Sequence, residues 1–336
     1  MKKYVIILFL LLACSLTGCK KKNITETLFI ASIGFEKEEE GYCGYFYLPL
    51  SNDIGKTETT ENKGKGDYAK VKGKSVAEIF RNINITISLE INFRHVSSII
   101  LQEELVKEDF IKELSDFVKH SVDIDFNFYL FATKEKMEDI YSFQNPNEES
   151  VINSLLVSTN DSHMTFLVTE PIHFLEFVSK FYANRSISLP LLDLDELWFV
   201  DDKPVKNPYC QSAIYYYQGS MKEAIRYPSS PYIKSFKKFE DRVLEEPVSF
   251  QDYQFKVKFK DKVYVECSFQ YQSLKSDSKL KDEDLNEFVE SKILKFIEDF
   301  KEIDPFDVAY HNYALSKDLS YDDIEVKVKI AKNRNV

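Results

Sequence analysis

The chain has 336 residues, room for two or three domains at about 150 residues each, and 44% of them are hydrophobic, so it can bury substantial cores and is not a disordered protein. Asp and Glu number 55 against 44 Lys and Arg, a formal charge of −11, and an acidic body of this kind repels phosphate backbones, which argues against non-specific nucleic-acid binding. Nine glycines make up under 3% of the chain, where about 7% is usual, which disfavours folds that wrap backbone around phosphates.

The first twenty residues carry an address. Lys2-Lys3 precede the apolar run Tyr4 to Ala13, which is too short to cross about 30 Å of hydrocarbon as a helix and reads as a secretory signal. Leu16-Thr17-Gly18-Cys19 follows, small residues before a cysteine in the manner of a bacterial lipobox. Cleavage is expected between Gly18 and Cys19, with the Cys19 thiol taking a diacylglyceryl group through a thioether. Two acyl chains give a durable anchor where one is marginal. Lys20, Lys21 and Lys22 would sit at the headgroups. Without the leader, 42 Lys and Arg remain against 55 Asp and Glu, a charge of −13.

Along the mature chain, residues 20–27 are a polar tether. Leu28–Phe35 and Tyr42–Leu48 are apolar runs around the acidic stretch Glu36–Gly41, which predicts a hairpin. Residues 53–74 hold four of the nine glycines and read as a loop or excursion. Ser75-Val76-Ala77-Glu78 has capping-box spacing and opens a helix through about Leu89. His95–Leu101 predicts a buried strand, Glu103–Val118 a helix and Asp125–Thr133 a strand. Asn145-Pro146-Asn147 marks a break before helices over 148–158 and 170–183, the second with Pro171 near its start. Short strand signals follow at Leu197–Val200 and Ala213–Tyr217. The clearest pattern is an alternation of Tyr253, Phe255, Val257 and Phe259 with polar residues, then, after Lys260-Asp261-Lys262, of Val263, Val265, Cys267 and Phe269, an amphipathic hairpin. A long helix with Leu285, Phe288, Val289, Ile293, Phe296, Ile297 and Phe300 on one stripe follows, and Val326, Val328 and Ile330 predict a closing strand. Strands pairing locally around helices define an α+β fold of two to three modules, with antiparallel or mixed sheets packed against helices.

The search for chemistry yields little. Gly73-Lys74-Ser75 mimics the end of a phosphate-binding loop, but Tyr68 stands where that loop needs a glycine, so a helix start is the reading. His95, His120, His163, His173 and His311 form no metal-ligand spacing and are assigned structural or surface roles. Gly219-Ser220-Met221 lacks the context of a nucleophile elbow. Cys14 lies within the leader and leaves with it. Among Cys43, Cys210 and Cys267 the default is buried free thiols, with one disulfide as the alternative. The carboxylates of Asp193-Leu194-Asp195-Glu196 and Asp201-Asp202 read as solvated loops, and Asp304-Pro305-Phe306-Asp307 as a helix stop and turn. No catalytic, metal or cofactor site is expected.

In order along the chain, several landmarks resemble the Ger(x)C family, the lipoprotein C subunits of bacterial spore germinant receptors. They are Leu16-Thr17-Gly18-Cys19, the strand Ile30-Ala31-Ser32-Ile33-Gly34-Phe35 before its acidic turn, and the helix start Gly73-Lys74-Ser75-Val76-Ala77. His95-Val96-Ser97-Ser98-Ile99-Ile100-Leu101-Gln102-Glu103-Glu104-Leu105, Ser188-Leu189-Pro190 and Tyr217-Gln218-Gly219-Ser220-Met221 follow, then the long helix, Asp304-Pro305-Phe306 and the closing Ile324–Ile330. The resemblance implies three α+β modules: two within residues 28–235, breaking near 146–190, and a C-terminal one over 236–336. It further implies two integral-membrane partner subunits at the spore inner membrane, and it transfers a defined role to Cys19 alone.

The leading expectation is therefore a non-enzymatic, lipid-anchored receptor subunit acting in spore germination from the extracytoplasmic face of a membrane. A lipoprotein solute-binding protein would share the anchor but needs two α/β lobes around a cleft. A cell-envelope hydrolase would need a nucleophile–base or metal set.

Overall fold

The computed structural model describes residues 27–48, 67–121, 124–142, 172–200, 203–218, 220–225 and 235–331. The expected first strand divides into β1 (Thr27–Phe29) and β2 (Ser32–Glu38), and β3 (Gly41–Leu48) returns antiparallel to β2. The acidic stretch is mostly strand: Glu36 to Glu38 pair with Cys43 to Gly41, leaving Glu39-Glu40 as the turn. Gly41 has φ +103, and a Cβ there would stand 2.4 Å from the Gly73 carbonyl oxygen, so both the conformation and the close approach require glycine. That carbonyl belongs to β4 (Asp67–Gly73), which pairs with β3. The expected loop over 53–74 is thus corrected at its end. Ala69 and Val71, packed against the core, alternate with Tyr68, Lys70 and Lys72, a short strand period that neighbouring glycines obscured. Residues 53–66 lie outside the described residues.

Helix α1 (Val76–Thr86) starts as its capping box predicts. Ser75 Oγ accepts from Glu78 N at 3.1 Å as the box requires, while the Glu78 carboxylate reaches one residue further back than the box, accepting from Lys74 N at 2.9 Å. β5 (Glu90–Asn92) pairs with β1, and β6 (Ser98–Gln102) lies parallel to β2. A 3-10 turn over Glu103–Leu105 precedes α2 (Glu108–His120), where one uninterrupted helix was expected. β7 (Tyr129–Thr133), the short α3 (Met137–Tyr141), β8 (Ile172–His173) and α4 (Phe174–Tyr182) follow. The helix expected over 148–158 lies outside the described residues.

β9 (Ile187–Val200) and β10 (Lys203–Tyr217) form a long hairpin and β11 (Ser220–Ile225) adds to it. The short strand signals at 197–200 and 213–217 are corrected to strands of 14 and 15 residues. Pro190, Pro204 and Pro208, each a reason to break a strand on paper, sit within them. Asp193, Asp195 and Glu196 accordingly lie on β9 rather than on a loop; Asp201-Asp202 lie outside the described residues. The sheet runs β11-β10-β9-β7-β6-β2-β3-β4, with the central strands β9, β7, β6 and β2 parallel. One face packs Ile33, Phe35, Ile99, Leu101 and Leu130 against Ile79, Phe110, Leu114 and Phe177 of α1, α2 and α4. On the other face Cys43, Tyr45, Ile100, Phe131 and Cys210 lie under Met137, Ile140 and Tyr141 of α3.

The C-terminal sheet runs β12 (Ser235–Val243), β13 (Glu246–Phe259), β14 (Val263–Ser273) and β15 (Glu325–Ile330). The alternation forecast for Tyr253–Phe259 and Val263–Phe269 is present, and its phase is set by an irregularity between Gln251 and Gln254, where Asp252 has φ +49. Helix α5 (Asp282–Phe300) lays Leu285, Val289, Ile293, Phe296, Ile297 and Phe300 on the buried face. β10 serves both cores by its two-residue period. Ile214 and Tyr216 face the first, while Ala213 and Tyr215 enter the second, Tyr215 meeting Phe300 at 5.3 Å between ring centroids. The whole is an α+β fold of mixed sheets and helices.

Candidate functional site

The two cores are also joined by charge. After α5, a 3-10 turn over Lys301–Ile303 leads to Asp304 and Asp307, both buried and both with positive φ (49° and 58°), and then to α6 (Val308–Leu315). Left-handed backbone suits Asp better than most residues because its short side chain bonds locally. Asp304 Oδ1 accepts from Val308 N at 2.6 Å and from the Tyr321 hydroxyl at 2.6 Å, and Oδ2 accepts from Ala309 N at 3.0 Å. It therefore caps the first turn of α6. Burial raises its pKa above the ordinary carboxylate value against the lowering effect of those bonds.

Asp307 reaches the other way. Its Oδ2 accepts from Arg185 Nη2 at 2.7 Å and Nε at 3.2 Å, and its Oδ1 from Ser186 N at 2.8 Å. Arg185 lies in the connection from α4 to β9, so one planar, two-donor contact staples the C-terminal region to the large sheet. The guanidinium also lies 4.3 Å from the centroid of the Tyr310 ring. A cleft of about 540 Å3 opens beside it, with Lys112, Tyr182 and Tyr216 in its wall. Asp304–Asp307 is the helix stop and turn that its sequence suggests, and it is also an inter-sheet clamp, which no local signal announces: Arg185 and Asp307 are 122 positions apart.

The remaining candidates do not converge. Gly18 and Cys19 lie outside the described residues, as do Cys14, His163 and Gly219. His95 meets Phe29 edge-on at 5.0 Å, His120 bonds the Asp116 carbonyl at 2.7 Å, His173 lies 4.0 Å from the Tyr129 ring and His311 stacks on Phe259 at 3.7 Å. Gly73-Lys74-Ser75 is the start of α1. Cys43, Cys210 and Cys267 are buried and free. Cys43 and Cys210 sit on strands five places apart, roughly 24 Å at about 4.8 Å per strand, far beyond disulfide reach. Burial pushes the Cys43 thiol up to about 11 and the Cys267 thiol up to about 12, away from nucleophilic use. Among the described residues, no group of three His, Cys, Asp or Glu could hold a metal ion, and no helix is long and apolar enough to cross a membrane.

The outer face of the C-terminal sheet is basic. Lys256, Lys258, Lys327 and Lys329 project from β13 and β15, and Lys260 and Lys262 flank the β13–β14 turn, with Asp261, Glu266 and Glu325 among them. The nitrogens of Lys260 and Lys327 stand 5.7 and 5.2 Å from the Tyr264 ring centroid.

The family model of the spore germination protein N-terminal domain matches residues 20–194. That is more than half of the chain, which therefore belongs to this family of spore germination proteins, the Ger(x)C family. Spore germination protein KC of Bacillus subtilis (strain 168) is 26% identical over 151 residues, 42% of this chain and 36% of that protein; the match spans about a third of the relative's length. The crystal structure of the GerBC protein aligns over 89% of this chain and 97% of its own, with a TM-score of 0.48 and 11% identity.

Proposed function

We propose that this spore germination protein is a non-enzymatic, lipid-anchored subunit of a germinant receptor, held by an acylated Cys19 at the extracytoplasmic face of the spore inner membrane beside two integral-membrane subunits. The observation that carries the reading is that the family match begins at residue 20, directly after the cysteine of Leu16-Thr17-Gly18-Cys19. In this reading residues 1–18 are the signal peptide, 19–27 the lipidated tether, 28–235 the N-terminal region and 236–336 the C-terminal domain. The buried high-pKa thiols and the dispersed histidines support a part played by binding rather than catalysis.

Replacing Cys19→Ser tests the anchor. The variant is expected to lose palmitate labelling and to leave the particulate fraction; normal maturation and labelling would overturn it. Deleting the gene in a strain stripped of paralogous receptors tests the role. Loss of the response to at least one nutrient is expected, and unchanged germination with every nutrient would count decisively against it.

A further inference from the structure

The outer face of the C-terminal sheet holds a hollow of about 160 Å3, and strand register builds it. Phe255, Val265, Cys267, Val326 and Val328 turn toward the core, so their neighbours Gln254, Lys256, Glu266, Ser268, Lys327 and Lys329 turn outward. These form two rows across β13, β14 and β15. Gln254 stands opposite Ser268 and Ser268 opposite Lys329; Lys256 stands opposite Glu266 and Glu266 opposite Lys327. Directly opposed side chains start about 5 Å apart. The short Ser268 side chain is therefore a floor between two long donors, and all six residues line the hollow.

Its chemistry is one-sided. Lys258 bonds Glu266 at 2.6 Å and Lys327 bonds Glu325 at 2.8 Å. Among the described residues, Lys256 and Lys329 make no ion pair, and the Ser268 hydroxyl and Gln254 amide bond no protein group. The bond to Lys258 holds the Glu266 carboxyl below the ordinary carboxylate range, with Lys329 adding its charge from further off. Guarding an edge does not account for the set. Lysine on an exposed edge strand deters pairing, and Lys327 and Lys329 lie on such a strand, but Lys256 lies on β13, which β12 and β14 cover. What remains is a group of ammonium, hydroxyl and amide donors beside one carboxylate that is already bonded, on a chain of formal charge −11. We propose that the hollow binds a phosphate group, with one oxygen at Ser268 and the others toward Lys256, Lys329 and Gln254. A tetrahedral dianion offers acceptors to all three strands at once, which a planar carboxylate does not. The hollow is too small for a drug-sized ligand, for which about 300 Å3 is the lower bound. It takes the phosphate itself, carried by a soluble ester or by a lipid headgroup. The site goes beyond the anchored reading and stands without it.

The full chain in detergent is titrated with inorganic phosphate at constant ionic strength and followed by phosphorus NMR. Saturable broadening of the phosphate line is expected. Lys256→Gln with Lys329→Gln weakens binding at least about tenfold, the scale of one lost hydrogen bond to a charged group, and Ser268→Ala weakens it severalfold. Lys275→Gln with Lys279→Gln removes the same charge from exposed positions of the same region and leaves the affinity unchanged. Each variant keeps the urea midpoint of the parent, since the changed side chains lie on the solvent face. Broadening that never saturates, or equal losses in the two double variants, overturns the proposal and leaves only diffuse charge. Competition then separates the two sources. Displacement of phosphate by glycerol phosphate alone upholds the site as one for a soluble ester. Displacement by phosphatidic acid vesicles upholds it as one for a lipid headgroup. Displacement by neither overturns the assignment of phosphate.

Discussion

Gly34 shows what a single missing side chain does. A Cβ there would lie 2.6 Å from Tyr141 Cε2 and 2.7 Å from Met137 Sδ, so α3 seats directly on the backbone of β2. The Tyr141 hydroxyl and Ser32 Oγ are 2.9 Å apart, and Ser98 Oγ is 2.9 Å from Ser32 Oγ, which fixes the ring that the added methyl would strike. Gly34→Ala is expected to cost about 1–3 kcal/mol by overpacking, read as a lower urea midpoint; a change below 0.5 kcal/mol would show that α3 yields freely. Asp307 is the second case. Arg185→Met leaves a carboxylate 7% exposed without its cation, at a cost of about 3 kcal/mol. The double variant with Asp307→Asn should recover part of that loss in a double-mutant cycle. Additive losses would mean that the two residues act independently.

At the scale of elements, α6 carries opposing titrations. Burial lowers the His311 pKa below its ordinary 6.5, with Arg185 and Lys317 acting the same way against Asp307. The unfolded chain then takes up the proton first as pH falls through 6.5, so stability drops toward acid. Asp304 has the opposite sign. Its raised pKa means that the folded state binds the proton more readily, a contribution lost as pH rises above the carboxylate range. Between pH 7.5 and 5.5 His311 governs: the urea midpoint of the parent falls, and that of His311→Gln falls less. An identical slope in both would assign the dependence elsewhere. The elements legible in the sequence were those whose period was uninterrupted, such as β14, α5, the capped start of α1 and the part of β13 from Tyr253 to Phe259 that follows its irregularity. β4 was hidden because glycines flank it, β9 and β10 because prolines punctuate them, and the β10 side chains that feed two cores because an alternation does not say what lies on either side. Asp304 and Asp307 were legible as a turn but not as a clamp, since their partners depend on tertiary approach and leave no local trace.

Taken whole, the molecule is two sheets sharing a wall at β10 and pinned by Arg185, so the regions are expected to unfold together. A single urea transition in the parent should split or broaden in Arg185→Met, and a split already present in the parent would show that the pin does not couple them. The parallel pairing of β14 with β15 has its own result during synthesis. Ser273 closes β14, but the strand that covers its free edge begins only at Glu325, after α5 and α6 have been made. At about 5–20 residues per second a ribosome needs several seconds to cover that interval. Throughout it, a strand with one greasy face offers an open row of amides to any neighbour, and Lys256 and Lys258 of β13 with Glu266 of β14 itself are the charges a nascent chain already has to keep strangers from completing the sheet.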